Sequence, residues 1–400
     1  MNRKARRAAA HRHANEKTML PADVVQPAGE IAAPGTFTTV LERVAQEILA
    51  VTYWFDPELR PEPYTVTIRF SGRRLNVNGR ASARDRFVQD ETIQQVIPGS
   101  GPISVTTRVR GINPGEWTVA AHPLQSSRPA NGTMAPAHYM SEAGRLPFGV
   151  RLWQRWAPSV EPAEPVHTCL LPFAHVPGIF TGLWGLIAAL GMVIALLIQS
   201  LVMTAKHLAL GPALPISLVA ILVGVIGAKA WYLVTYRRER LRNGWCIQGF
   251  ITGATLTAAI MLLVLNVPAG AFLDATAPGL LLAMAVGRVG CFFAGCCGGP
   301  PTASRFGVWS SDQRVGARRV PTQLLELTLA GGLGIGTLVA VVSHGPANGA
   351  FFVGGLAAYT LLRQGILRLR AEPRKTRWGS AVMVALAMLV LILAVILFVR

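Results

Sequence analysis

The hydrophobic pattern divides the chain near residue 175. Beyond that point seven apolar stretches run over roughly 178–203, 213–236, 248–267, 273–297, 321–343, 349–370 and 379–399. Several reach the about 20 residues that a helix needs to cross a bilayer, so each predicts a membrane-spanning helix. Before it, apolar and polar positions alternate. Tyr64-Thr-Val-Thr-Ile-Arg-Phe70 has period two, Phe87–Ile97 and Ile103–Val109 are strand-like, and Trp117–Ala121 closes the series. Asn78-Gly79, Pro98–Pro102 and Asn113-Pro-Gly115 punctuate the strands as turns. Five or six short strands with regular turns predict a small β-sandwich of immunoglobulin or fibronectin type. Thr38–Leu49 carries apolar residues at Val40, Leu41, Val44, Ile48 and Leu49, which suits a short amphipathic helix or an irregular lead-in.

The predicted fold is therefore an all-α polytopic membrane bundle of about seven transmembrane helices, preceded by a small all-β, sandwich-like soluble domain. Four segments are expected: a basic tail over 1–35, the β domain over 36–125, a linker over 126–175, and the membrane domain over 176–400. The linker is rich in Pro, Ser, Ala and Gly, with an amphipathic patch around Phe148, Trp153 and Trp156. Composition agrees with this division, since 51% of residues are hydrophobic and only 14% charged.

The net charge of +18 raises nucleic acid as a partner. Its positions argue against it. Arg3, Lys4, Arg6, Arg7, Arg12 and Lys17 crowd a solvated tail that suits an anionic lipid surface, and no aromatic platform accompanies them. No apolar core follows the basic N-terminus, so no signal peptide is expected, and the stretch beginning near Val176 is the first that can target the membrane. Arg237, Arg238, Arg240, Arg242, Arg305, Arg314, Arg318, Arg319, Arg368, Arg370, Arg374, Lys375 and Arg377 all fall on the N-terminal side of a seven-helix bundle. By the positive-inside rule that side would be cytoplasmic.

One stretch concentrates chemistry. Gly287-Arg288-Val289-Gly290-Cys291-Phe292-Phe293-Ala294-Gly295-Cys296-Cys297-Gly298-Gly299 places an arginine within an apolar segment and three of the five cysteines beside it. A charge at membrane depth costs about 2.5–3.5 kcal/mol on insertion scales and marks a functional site. Other polar groups fall at the same end of their segments: Lys229 and Tyr232, Gln248, Arg319, Gln323, Glu326, Tyr359 and Arg363. An excess of cations facing inward around one carboxylate suits an anionic ligand such as a lipid phosphate, because guanidinium donates two parallel bonds. Arg288 could equally be the buried ion-pair partner of Glu326, and Lys229 could snorkel. The Cys-x4-Cys-Cys cluster has three readings: small packing residues, a disulfide or reactive thiol, or a metal site. Its spacing is not that of a zinc motif, so no metal ligand and no cofactor is assigned.

These residues resemble the bacterial prolipoprotein diacylglyceryl transferases from about Ile179 onward. The ordered motifs are Gly227-Ala-Lys229-Ala-Trp-Tyr232, Ile247-Gln248-Gly249-Phe250-Ile251-Thr252-Gly253, Asp274-x-x-x-Pro278 followed by Gly287-Arg288-Val289-Gly290, Arg319-Val-Pro321-Thr-Gln323-Leu-Leu-Glu326, and Tyr359 with Arg363 and Arg370. The resemblance implies a multi-pass protein of the bacterial plasma (inner) membrane. It implies transfer of diacylglyceryl from phosphatidylglycerol to the lipobox cysteine thiol of prolipoproteins, with the signal peptide as partner. Arg288, Arg319, Glu326 and Gln248 would be catalytic. Arg288, Arg319, Gly299, Gln323, Tyr232, Lys229 and Arg363 would bind substrate, and Cys291, Cys296 and Cys297 are candidate reactive thiols.

The sequence departs from the family pattern at the chemistry. The family's histidine is Gln248, its asparagine is Cys291, its signature glutamate is Cys296, the tyrosine of its first helix falls at Thr181, and the histidine before Pro321 is Val320. These departures keep two alternatives open: a catalytically degenerate lipid-binding or accessory membrane protein, and a transferase with a different acceptor that uses Cys291 or Cys296. The resemblance also implies an N-out orientation, opposite to the one the charge count gives.

Overall fold

The computed structural model describes residues 47–77, 79–124, 148–160, 165–170, 173–208, 210–235, 245–345, 348–371 and 378–399. The basic tail, Thr38–Gln46, Asn78, most of the linker, and the basic loops at 237–242 and 374–377 lie outside the described residues.

Five strands open the described chain: β1 Glu47–Phe55, β2 Tyr64–Arg74, β3 Arg86–Val96, β4 Ile103–Val109 and β5 Glu116–Leu124. Two short strands, β6 Val166–His167 and β7 Cys169–Leu170, follow a helix α1 at Phe148–Trp156, and a hairpin of β8 Val308–Ser311 and β9 Val315–Arg319 comes from the membrane half. They form two antiparallel sheets, β7-β1-β4-β9-β8 and β3-β2-β5-β6. Leu49, Val51, Tyr53 and Val105 of the first sheet meet Ile68, Phe70, Ile93, Trp117 and Val119 of the second in one buried core. This is the expected sandwich, with strands added from beyond residue 125.

One expectation is corrected. Glu47, Ile48 and Leu49 begin β1 rather than ending a helix. The reason is burial on both faces. Odd positions face the sandwich core, while Ile48 and Trp54 are buried on the other side, where the indole of Trp54 donates to Ala157 O (2.9 Å) and stacks on Trp309 at 5.5 Å. A strand covered on both sides shows no alternation, so its period was invisible.

Among the described residues the spans are seven: α2 Leu183–Ala205, α3 Leu210–Thr235, α4 Ile247–Val264, α5 Ala269–Ala294, α6 Thr322–His344, α7 Ala350–Ile366 and α8 Gly379–Val399. All seven are long and apolar enough to cross a membrane. Helix α2 shows why: Leu186, Leu190, Val193, Leu197 and Leu201 recur at helical spacing and are all exposed, a stripe suited to lipid. The chain is a multi-pass membrane protein. Helix α5 is central and packs on α2, α6 and α7, while α3 pairs with α4 and α8 with α7.

Polar groups inside the bundle are satisfied between helices. Gln199 on α2 donates to Thr276 on α5 (2.7 Å) and accepts from Ser217 on α3 (2.8 Å). Asp274, fully buried on α5, accepts the N–H groups of Gly349 (2.9 Å) and Phe352 (3.0 Å) at the start of α7. A carboxylate there satisfies orphan donors and complements the positive end of the helix dipole.

The β8–β9 hairpin joins the sandwich to the bundle. Arg314 is ion-paired with Glu91 of β3 and its carbonyl accepts Thr106 N–H at 2.7 Å, while the Trp309 indole donates to Pro102 O at 3.1 Å. At its tip, Gln313 donates to Ala294 O at the end of α5 (2.9 Å). Trp153, Trp156, Phe180 and Phe293 pack ring to ring beside this junction, and Phe180 N–H donates to Phe293 O at 3.0 Å. Because Trp54 is buried and stacks on the hairpin, Trp54→Ala should cost about 3–5 kcal/mol. Thermal unfolding in detergent, with proteolysis at 308–319, measures the loss; an unchanged melt and protease pattern would contradict the junction described.

Candidate functional site

The last turns of α5 carry Arg288 and Cys291, and the helix stops at Gly295, which adopts φ 68° and ψ 36°. Glycine is required there twice over. The left-handed backbone disfavours any Cβ, and a Cβ would stand 2.6 Å from Ile179 and 2.7 Å from Ser311 O. The expected segment ran to 297, so Cys296 and Cys297 lie beyond the helix, in a turn that folds back. The start of α6 pins this turn. Gln323 donates to Cys296 O (2.8 Å), Thr322 to Cys297 O (2.7 Å), and Gly299 N–H to Val320 O (3.1 Å). Ala371 N–H adds a bond to Gly298 O at 3.1 Å. Gly299 sits where three segments meet, and a Cβ on it would lie 2.6 Å from Val320 O and 3.0 Å from Leu369 O.

Beside the turn, Glu326 of α6 is 1% exposed and faces three arginines. Arg288 Nε lies 2.7 Å from one carboxylate oxygen; Arg370 Nη2 lies 2.6 Å and Arg363 Nε 3.7 Å from the other. Arg288 also reaches the Tyr359 hydroxyl at 3.4 Å. Three guanidinium charges against one carboxylate leave two positive charges in a half-buried site. Arg319, the last residue of β9, joins from the hairpin. Its Nη2 donates to Asp312 (2.7 Å) and to Val315 O (3.3 Å). Arg319 and Gln323 both border Gly298. The Nε atoms of Arg319, Arg363 and Arg370 are buried with no hydrogen-bond partner among the described residues, and so is Glu326 Oε2, whose 2.7 Å approach to Arg288 Nε is an ion pair without hydrogen-bond geometry. Buried donors without acceptors are costly unless something accepts from them.

The structure thus gathers Arg288, Glu326 and Arg363 into one cluster and sets Arg319, Gln323 and Gly299 along the adjoining turn. The ion pair between Arg288 and Glu326 is present, and the cation excess is present with it. Arg370 was visible in sequence only as the end of a motif, yet it makes the shortest contact to Glu326. It gets there because α7 runs on into a 3-10 turn at Leu367–Leu369. Lys229, Tyr232 and Gln248 sit at the α3–α4 hairpin, where Cys246 N–H donates to Ala228 O (3.1 Å) and the Cys246 thiol to Gln248 Oε1 (2.8 Å). Lys229 Nζ lies over the rings of Trp245 (4.9 Å) and Tyr232 (5.7 Å). The helices meet closely here, since a Cβ on Gly249 would be 2.2 Å from Gly227 O.

Cys291, Cys296 and Cys297 are all free and half-buried, and their sulfurs lie within 4.8 Å of one another. Arg288 Nη1 is 3.9 Å from Cys291 Sγ, and Cys296 Sγ is 3.6 Å from Cys291 O.

Comparison with known proteins follows the same boundary. The prolipoprotein diacylglyceryl transferase family matches residues 173–400, more than half of the chain. A phosphatidylglycerol–prolipoprotein diacylglyceryl transferase of Clostridium tetani is 30% identical over 120 residues, covering 27% of this chain and 48% of that protein. Transferase 1 of Clostridium perfringens is 35% identical over 133 residues, 30% of this chain and 50% of its own. The Dehalococcoides mccartyi transferase is 36% identical over 110 residues, 26% of this chain and 42% of its own. The chain spans about half the length of the curated relatives it matches.

If Glu326 anchors the cluster, removing its charge leaves three partly buried cations without their counterion. Glu326→Gln should then cost about 3–5 kcal/mol, read as a lowered melting temperature in detergent. An unchanged melt would mean that the arginines are solvated independently of it.

Proposed function

The chain belongs to the prolipoprotein diacylglyceryl transferase family, and we propose that it transfers diacylglyceryl from phosphatidylglycerol to the lipobox cysteine thiol of prolipoproteins in the bacterial plasma membrane. The observation that carries this reading is the set of buried arginine Nε–H donors beside a cluster with two excess positive charges. That arrangement suits a phosphate whose charge grows as it leaves. Preorganised donors in a water-poor site stabilise such a charge most in the transition state.

In the proposed reaction the acceptor sulfur, as thiolate, attacks the glyceryl carbon of phosphatidylglycerol. A C–S bond forms, the C–O bond to phosphate breaks, and the electron pair leaves with glycerol phosphate. Arg288, Arg363 and Arg370 are the proposed phosphate partners, oriented by Glu326. Arg319, tied to Asp312, is proposed to reach the substrate across Gly298. Glu326 has its oxygens turned to guanidinium groups, and the amide of Gln248 is no base near neutral pH, so the thiol proton needs another route.

The orientation proposed is that of the family, with the sandwich and cluster on the outer side. Arg314, Arg319 and Arg370 are paired with Glu91, Asp312 and Glu326, so a charge count overstates the free cations on this side. The second reading, an accessory lipid-binding protein, draws on Gln248 and the cysteines standing where the family has a histidine, an asparagine and a glutamate.

The test is transfer from phosphatidylglycerol vesicles to a lipobox peptide by the purified protein. Wild type should label the peptide thiol. Arg288→Ala and Arg370→Ala should each lose at least about 100-fold in rate while remaining monodisperse, and Arg60→Ala, on the exposed side of the sandwich, should not. Lipid binding without transfer by wild type would favour the accessory reading; full activity in both arginine variants would contradict the site.

A further inference from the structure

We propose that Cys291, Cys296 and Cys297 form a three-thiolate site for a thiophilic d10 metal ion, with zinc as occupant, whose open fourth position receives the acceptor thiol. The metal site stands on geometry alone; the role of its fourth position rests on the transferase reading.

Sequence spacing argues against zinc because consecutive cysteines after a four-residue gap do not converge on a straight helix. The fold removes that objection. Helix α5 ends at Gly295, and Cys297 itself takes φ 60°, a left-handed conformation unusual for cysteine. The turn brings all three sulfurs within 4.8 Å of one another. In a tetrahedral zinc site with Zn–S near 2.3 Å the sulfurs stand about 3.8 Å apart, so closure needs movements of about 1 Å.

The turn is held before any metal arrives. Gln323 and Thr322 fix the carbonyls of Cys296 and Cys297, and Ala371 fixes that of Gly298. Charge favours occupancy too. Zinc with three thiolates carries one net negative charge, and Arg288 lies 3.9 Å from Cys291 Sγ, beside a cluster with positive excess. All three cysteines are partly exposed, so the cluster is not sealed within the fold.

Three protein ligands with one exchangeable position is the pattern of catalytic rather than structural zinc. A thiol that coordinates zinc is deprotonated outright. Binding the acceptor would therefore release its proton to water and leave a zinc-bound thiolate. That sulfur would then form the bond to the glyceryl carbon as the C–O bond to phosphate breaks, and glycerol phosphate would leave with the electron pair, held by the arginines. Neither Gln248 nor Glu326 is needed as a base. Two cysteines at the positions of the family's asparagine and glutamate would thus be a change in how the thiol is activated.

The experiment uses the full-length chain, purified in detergent under reducing conditions. Zinc is measured by elemental analysis and by competition with a chromophoric chelator, and cobalt substitution is read by its thiolate charge-transfer band. Wild type should bind one zinc per chain. Cys291→Ser, Cys296→Ser and Cys297→Ser should each weaken binding by more than the about 10–100-fold that loss of a supporting residue costs, while melting like wild type once both are stripped of metal, and Cys169→Ser and Cys246→Ser should bind like wild type. No stoichiometric zinc and no cobalt–thiolate band in reduced wild type would overturn the site, as would a stable disulfide among the three. Transfer is then measured before and after stripping. Loss on stripping and recovery with zinc support the role of the fourth position. Activity indifferent to stripping overturns that role, and zinc binding without transfer under any condition overturns the transferase reading while leaving the site.

Discussion

A single buried carboxylate sets the terms for the functional half of this molecule. Glu326, 1% exposed, is the common partner of Arg288 from α5, Arg363 from α7 and Arg370 from the turn after it. A lone guanidinium in that position would be expensive, and three would repel one another. One glutamate lowers that cost enough for the cations to coexist, without cancelling them. The surplus charge is what a phosphate can use. Structure and proposed chemistry therefore meet in the same group: the ion pairs fix three helix ends, and the residual donors remain for a ligand.

The sandwich shares in this arrangement. Its first sheet is completed by a hairpin inserted between α5 and α6, the two helices that carry Arg288 and Glu326. Asp312 at the hairpin tip accepts the N–H groups of Arg314 (3.0 Å) and Val315 (2.7 Å) and holds Arg319. Gln313 at the same tip caps α5. The β domain is thus built into the wall of the site, and loosening the strand pairing of β4 with β9 would move Arg319.

Much of the fold was legible because its signals are local. Seven apolar runs gave seven spans, and alternation found β2, β4 and β5. What stayed hidden depended on partners distant in sequence. β1 reads as a featureless apolar run because both faces are covered. β8 and β9 are short and contain Arg318 and Arg319, so they read as a charged loop; pairing with β4 makes them strands. At the site, Arg288 and Glu326 stood out as charges in apolar segments, and their pairing was among the readings. The part of Arg370 was not visible, because it depends on how the chain turns after α7. The convergence of the cysteines was hidden too, because it follows from where Gly295 ends α5. The resemblance marked Asp274, but its bonds to the start of α7 required the packing.

The arginines around Glu326 are proposed to hold a lipid phosphate. An experimental structure of the protein in bilayer discs rich in phosphatidylglycerol tests it most directly. Headgroup phosphate oxygens should lie within hydrogen-bond distance of Arg288 and at least one of Arg363 and Arg370, with Glu326 still in place behind them. Phosphatidylglycerol bound elsewhere, with these side chains turned away and their Nε–H groups paired within the protein, would contradict it.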